Sequence, residues 1–204
     1  MESKNLNKKE TGTTTMGIVC KDGLVLAADN KATAGHLIVN KDTRKIYKIL
    51  DNMAITIAGT VGDAQSMVRL LKAEMRLYEY NKSKTSVKAA STLLANILRS
   101  SYKSYMPEMV QLILGGYDFR GPQLFSLDLA GGMSEEKQYT FSGSGSVIAV
   151  GVLEGDYKDN MTIDEGVVLV KKALTAAKER DVFSGGIGFD VLKITEGKTE
   201  WIKL

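Results

Sequence analysis

The spacing of apolar residues along this chain changes period several times, and each change marks an element. From Thr13 to Cys20 and from Gly23 to Asp29 the residues are apolar or β-branched almost without a break, with Lys21-Asp22-Gly23 between them. Short runs of this kind around an Asp-Gly tip predict a β-hairpin over 13–20 and 23–29. The pattern repeats at 45–50 and 53–58 around Asp51-Asn52. After Gly62 the period becomes helical: Ala64, Met67, Val68, Leu71, Met75 and Tyr78 fall three or four apart and predict one apolar stripe. A second helix is predicted over 86–102, with Val87, Ala90, Leu94 and Leu98 on one side and Ser83 to Ser86 as polar linker and cap. Strand patterns return at 109–117, 122–128 and 137–142. A helix is expected after Gly143-Ser144-Gly145-Ser146. The last helix opens at a capping box, Thr162 with Glu165, and is expected to turn Val167, Val170, Leu174 and Ala177 inward. Strand 189–195, the turn Glu196-Gly197-Lys198 and a strand near Trp201 close the chain.

Strands, two helices, strands, a further helical stretch and a closing hairpin predict an α+β fold. Its form is a four-layer αββα sandwich of two antiparallel sheets flanked by helices. The runs 53–58 and 109–114 are apolar at nearly every position, which implies burial on both faces. At 204 residues the chain is long enough for one well-buried core, and neither a linker nor an internal repeat divides it.

Composition removes several kinds of chemistry. Lysine and arginine number 27 against 24 acids, a net charge of +3 with no basic block, so nucleic acid is not an expected partner. The first twelve residues hold no apolar core of a secretory signal, and no apolar run approaches a membrane span. A single cysteine, Cys20, forms no internal disulfide, which fits a reducing, cytoplasmic setting. The one histidine, His36, lies in the irregular stretch Ala34-Gly35-His36-Leu37 without spaced partners, so multi-His metal sites and Ser-His-Asp triads find no support. No phosphate-binding loop motif occurs.

The segment Gly12-Thr13-Thr14-Thr15 offers another chemistry. Cleavage between Gly12 and Thr13 would give Thr13 a free α-amine beside its own hydroxyl, a base and a nucleophile on one residue. An α-amine titrates near about 7.7–8.0, so part of it is free base at neutral pH, and a hydroxyl needs such a neighbour to attack. On local sequence alone the segment also reads as a threonine-rich strand start.

The motifs Gly12-Thr-Thr-Thr, Leu26-Ala-Ala-Asp-Asn-Lys-Ala-Thr, Arg44-Lys-Ile-Tyr-Lys-Ile, Ala58-Gly-Thr-Val-Gly-Asp-Ala, Gly143-Ser-Gly-Ser, Val150-Gly-Val-Leu-Glu154 and Arg180-Asp-Val-Phe-Ser-Gly-Gly186 occur in order along the chain. Together they resemble the β subunits of the proteasome, most closely the archaeal type, among the N-terminal nucleophile hydrolases. The resemblance runs from Gly12 to the last strand. It implies a threonine endopeptidase made as a zymogen, with residues 1–12 a propeptide that Thr13 removes and 13–204 the catalytic domain.

By that resemblance Thr13 is the nucleophile, and Lys45 lies beside its hydroxyl to favour the deprotonated form. Asp29 pairs with Lys45, and Gly59 supplies an oxyanion-hole N–H. Ser144, Asp181 and Ser184 orient the amine and its water. Taken singly, Lys45 reads as a solvated strand lysine, Asp29 and Gly59 as turn residues, and Asp181 with Ser184 as punctuation after a helix. Asn30 and Lys31 stand where many relatives carry arginine or serine. A substrate pocket of Ala32, Thr43, Lys45, Ile57 and Val61 is implied, favouring large apolar residues before the cut.

The resemblance implies further that no cofactor is needed. The expected partners are α subunits, β subunits of the same or a sister kind in heptameric rings (an α7β7β7α7 barrel), an ATP-dependent unfoldase and unfolded polypeptides. A non-catalytic β-like subunit would lack Thr13, Lys45 or the Gly12 junction. The bacterial two-ring relative would be shorter and lack the Arg-Asp-x-x-Ser-Gly-Gly pattern at 180–186.

Overall fold

A computed structural model describes residues 12–81, 85–104 and 109–204. Twelve strands and four helices are found among them. The first half of the chain gives β1 (Thr15–Cys20), β2 (Gly23–Asp29), β3 (Ala32–Ala34), β4 (Leu37–Asn40), β5 (Ile46–Leu50), β6 (Met53–Gly59), α1 (Val61–Asn81) and α2 (Val87–Tyr102). The second half gives β7 (Val110–Asp118), β8 (Gly121–Leu127), β9 (Met133–Glu136), β10 (Tyr139–Ser142), α3 (Ser146–Asp156), α4 (Ile163–Arg180), β11 (Phe189–Thr195) and β12 (Lys198–Lys203). One five-stranded sheet runs β10-β1-β2-β11-β12 and another β5-β6-β7-β8-β9, while β3 and β4 form a small hairpin apart. Every paired strand is antiparallel.

The period-two alternation of the central strands divides their side chains between two cores. On β2, Val25 and Ala27 pack with Met16, Ile18, Leu153, Leu169, Val170, Leu174 and Ala177 beneath α3 and α4. The alternate residues Leu24, Leu26 and Ala28 meet Ile46, Ala54, Ile113 and Leu124 of the other sheet. On the far side Met53, Ile55 and Ile57 of β6 pack with Leu71, Val87, Leu94, Leu112 and Phe125 under α1 and α2. The result is the expected four-layer αββα sandwich. The sheets approach closely where glycine replaces a side chain: a Cβ at Gly17 would lie 2.6 Å from Leu124 Cδ1, and one at Gly115 2.7 Å from Leu24 Cδ1.

Helix starts follow their sequence signals. Ser86 caps α2 by accepting from Ala89 N at 3.1 Å. Thr162 and Glu165 form a reciprocal capping box on α4, Thr162 N donating to Glu165 Oε2 at 2.7 Å and Glu165 N to Thr162 Oγ1 at 3.2 Å.

Four expectations change. Tyr78 is half exposed, because the stripe on α1 ends its buried part at Met75. Val167 is only partly buried, while Gly166 instead faces the sheet, where a Cβ would lie 2.8 Å from Cys20 Sγ. The stretch around His36 is a hairpin, β3–β4, whose β4 is exposed throughout and so shows no burial pattern. In 109–114 Met109 and Gln111 are exposed, and the polar β9 forms an edge strand that apolar periodicity does not reveal. Ser83 lies outside the described residues.

Candidate active site

The site forms where β1 begins, because antiparallel pairing sets three other segments against it. Thr15 pairs with Ala28, which brings Thr14 opposite Asp29, the last residue of β2. Asp29 N donates to Thr14 O at 3.1 Å, and Thr14 N donates to Asp29 Oδ1 at 2.9 Å. Lys45, just before β5, is anchored to the second sheet by Ile57 N donating to its carbonyl at 2.9 Å. Its ammonium donates to Asp29 Oδ1 at 2.6 Å, and both side chains are almost wholly buried, 6% and 1% exposed. Asp29 Oδ2 also accepts from Gly185 N at 2.8 Å and Lys31 N at 3.1 Å.

Burial disfavours the charged form of Lys45 and lowers its pKa below the ordinary lysine value. The Asp29 carboxylate opposes this by its charge and its hydrogen bond, and Asp181 does so more weakly, while the positive charge of Lys31 adds to the lowering.

A second network encloses the backbone of Thr13 and Thr14. Thr13 N donates to Ser144 Oγ at 3.3 Å, and Ser144 Oγ donates to Asp181 Oδ2 at 2.6 Å. Ser184 Oγ donates to the same oxygen at 2.5 Å and lies 2.6 Å from Thr14 Oγ1. With its own proton given to Asp181, Ser184 accepts from Thr14. The Gly143-Ser144-Gly145 turn fits tightly around these threonines. A Cβ at Gly143 would lie 2.1 Å from Thr13 O, and one at Gly145 would lie 2.0 Å from Thr14 Oγ1. Gly143 also has φ +90°, a conformation suited to glycine.

The Thr13 side chain points back along the chain. Its Oγ1 donates to the carbonyl oxygen of Gly12 at 2.7 Å. Thr13, Lys45 and Gly59 line one small cavity of about 40 Å³ together with Gly12, Ala32, Thr43, Ile57 and Val61. All five residues expected to form a substrate pocket therefore meet there, joined by Lys31, Thr33, Arg44 and Tyr47. Gly59 ends β6 with φ +116°, and a Cβ on it would lie 2.2 Å from Met109 O, so no other residue fits. A cleft of about 270 Å³ shares Thr13 and Gly59 and is otherwise lined by Ala58, Met109, Val110, Gln111, Leu129, Gly143 and Ser144.

All seven residues singled out as catalytic thus belong to one connected region. Among the residues the sequence did not single out, Thr14 joins both networks and Phe183 packs against Gly12. Strand alternation gave a usable signal for Thr14, since it must face away from Thr13 and Thr15, toward the layer of α4. Cys20 and His36 stay apart. Cys20 is buried, and that burial pushes its thiol up to about 12, while His36 is exposed on the β3–β4 turn. Among the described residues no three His, Cys, Asp or Glu side chains gather as a metal-ligating group, and no helix is long and apolar enough to cross a membrane.

Comparison with known proteins fits this arrangement. The family described as proteasome subunit matches residues 9–193. The chain belongs to the proteasome subunit family. Its relatives include the proteasome subunit beta of Methanocaldococcus vulcanius, 52% identical over 195 residues that cover 95% of this chain and 85% of that one. The proteasome subunit beta of Archaeoglobus profundus is 49% identical, covering 93% and 87% of the two chains. That of Methanobrevibacter smithii is 48% identical, covering 94% and 91%. The two sheets and flanking helix pairs are the proteasome-family sandwich, and the connected region lies at one end of it, where β1 begins.

The buried pair yields a graded prediction for stability. Asp29→Ala leaves the Lys45 ammonium buried without its counter-charge and strips three backbone N–H groups of their acceptor. It is expected to cost about 3–5 kcal/mol. Lys45→Met leaves a carboxylate still held by those three donors and is expected to cost less. Urea denaturation of both variants measures the order, and an equal or smaller loss for Asp29→Ala would contradict it.

Proposed function

We propose that this chain is the catalytic β subunit of a proteasome core particle, a threonine endopeptidase that hydrolyses peptide bonds of unfolded proteins inside a chamber. The observation that carries the reading is the Thr13 hydroxyl, 2.7 Å from the carbonyl oxygen of Gly12 in the pocket shared with Lys45. While Gly12 is attached, the Thr13 nitrogen is an amide and cannot act as a base, so residues 1–12 are a propeptide and the chain a zymogen. Residues 1–11 lie outside the described region.

Thr13 Oγ attacks the Gly12 carbonyl carbon, the carbon–nitrogen bond breaks, and the hydroxyl proton ends on the departing nitrogen. Water then hydrolyses the Gly12–Thr13 ester, releasing residues 1–12 as a carboxylate and restoring the hydroxyl. In the mature domain, 13–204, the free amine takes the hydroxyl proton, with water as carrier, and a substrate carbonyl replaces that of Gly12. Lys45, kept charged by Asp29, stabilises the developing alkoxide, and the Gly59 N–H serves the oxyanion, a type of contact whose loss typically costs about 10²–10³ in rate. Ser144, its proton committed to Asp181, accepts from the amine and fixes its direction. Ser184 holds Asp181 in place.

The family membership supports the assembly reading: seven-membered β rings stacked within α rings, fed by an ATP-dependent unfoldase, in the cytoplasm. Nothing in the chemistry calls for a cofactor.

Self-processing is tested by intact mass. Assembled protein should lose residues 1–12, and Thr13→Ala should keep them. Cleavage of the purified alanine variant at the same bond would refute autolysis.

The lowered Lys45 pKa sets the alkaline limit of activity. Because the ammonium is required, kcat/KM should fall with a midpoint below about 10.4, the ordinary lysine value. Asp29→Asn removes the charge that holds the proton on and should move the limb lower still, while Lys45→Ala should abolish turnover in an assembled ring. A limb at or above that value would overturn the lowered Lys45 pKa as its source, and normal turnover without the lysine would remove Lys45 from the mechanism.

Specificity follows from the pocket lining. Gly12 contributes to the cavity wall, so loss of the leader enlarges a space that is now only about 40 Å³. Ala32, Thr43, Ile57 and Val61 offer no carboxylate to a basic side chain, whose buried charge would go unpaired. Burying a large apolar side chain is worth about 1.5–3 kcal/mol. Fluorogenic peptides differing only before the cut should be hydrolysed fastest after leucine, tyrosine or phenylalanine, with some cleavage after acidic residues. Faster cleavage after arginine would overturn this pocket.

A further inference from the structure

Gly12 is walled on one side by a residue the mechanism does not use. A Cβ placed on Gly12 would lie 1.7 Å from Phe183 Cβ, 2.6 Å from Phe183 Cγ and 2.8 Å from Ser144 Oγ. Non-bonded carbons rest at about 3.5–4.0 Å, so no side chain fits without moving one backbone or the other. The nearest atom is a Cβ, which rotation of the phenyl ring leaves where it is.

Both backbones are tied in place. Phe183 stands in the turn after α4, where its N–H donates to Asp181 Oδ1 at 3.2 Å and Ser184 N donates to Asp181 O at 3.2 Å. Lys31 Nζ donates to the carbonyl of the preceding Val182 at 2.9 Å. Opposite, Gly12 N donates to Thr33 Oγ1 at 3.4 Å while its carbonyl accepts from Thr13 Oγ1 at 2.7 Å. A residue pushed off the Phe183 wall would carry its carbonyl away from the hydroxyl. A misplacement on the order of 1 Å costs about 10² in rate.

We propose that Phe183 is the specificity-determining residue of the Gly12–Thr13 junction: its Cβ excludes every side chain at position 12 and holds the Gly12 carbonyl against Thr13 Oγ1. The inference rests on the self-cleavage reading. It assigns the demand for glycine to a particular atom, and so predicts a threshold: any Cβ at position 12 is as harmful as a larger side chain.

The test follows loss of residues 1–12 by intact mass in assembled protein. Gly12→Ala should slow it about a hundredfold, and Gly12→Val should be about equally slow. Phe183→Ala keeps the Cβ and should not relieve Gly12→Ala. Phe183→Gly removes it, and the double variant with Gly12→Ala should process within about tenfold of Phe183→Gly alone, the scale of a misplacement largely relieved. Near-normal processing of Gly12→Ala with graded slowing toward Gly12→Val overturns the proposal, and this comparison needs no change at Phe183. A folded double variant that stays a hundredfold below its Phe183→Gly parent also overturns it. An unchanged chain that keeps its leader, or a Thr13→Ala chain that loses it, would sink the self-cleavage reading and this inference with it. Graded slowing at position 12, or a double variant that is not relieved, overturns the inference alone.

Discussion

The carboxylate of Asp29 is the point on which the rest of the site depends. It accepts from four donors on four separate segments: the Thr14 N–H entering β1, the Lys31 N–H just beyond β2, the Lys45 ammonium before β5 and the Gly185 N–H after α4. A carboxylate buried to 1% exposure is tolerable only when its oxygens are satisfied in this way. The same bonds draw together the segments carrying Thr13, Lys45 and Ser184. Electrostatic satisfaction and site geometry are here one requirement, because each donor that satisfies the charge also fixes the segment it sits on.

Around this point the sandwich supplies rigidity through paired apolar layers. Central strands carry alternate residues into two different cores, so each sheet is packed on both faces. The exception lies near the site. Thr15 and Thr56, both fully buried, face each other between the sheets, Thr56 Oγ1 donating to Thr15 Oγ1 at 3.1 Å, with Ser142 Oγ a further 2.7 Å away. A polar link at that position ties the strand that leads to Gly59 to the strand that follows Thr13.

Much of this was legible in the sequence because the two-sided burial of β6 and the helical stripes of α1, α2 and α4 leave strong traces. The capping box at Thr162 marked the start of α4 to the residue. What escaped were elements held by pairing alone: β4, exposed at every residue, and β9, a polar edge strand. At the site, the seven residues drawn from motif resemblance are brought into one region, whereas Thr14 and Phe183 were not singled out. Their part comes from contacts with residues more than a hundred positions away, Thr14 with Ser184 and Phe183 with Gly12; alternation gives the face to which Thr14 turns, but no local pattern encodes what it meets there.

That distance has a kinetic consequence. Thr14 and Ser184 are 170 residues apart, Thr13 and Ser144 131 apart, and Gly185 reaches Asp29 across 156. Loops of this length close late, after local hairpins and helices have formed, since contacts remote in sequence are gained only once the chain entropy between them has been given up. A chain still emerging, with the turn after α4 unmade, has the threonine but lacks Asp181, Ser184 and Gly185 around it. The reactive geometry is therefore a report on completed folding: it exists only in molecules whose last quarter has already docked onto their first.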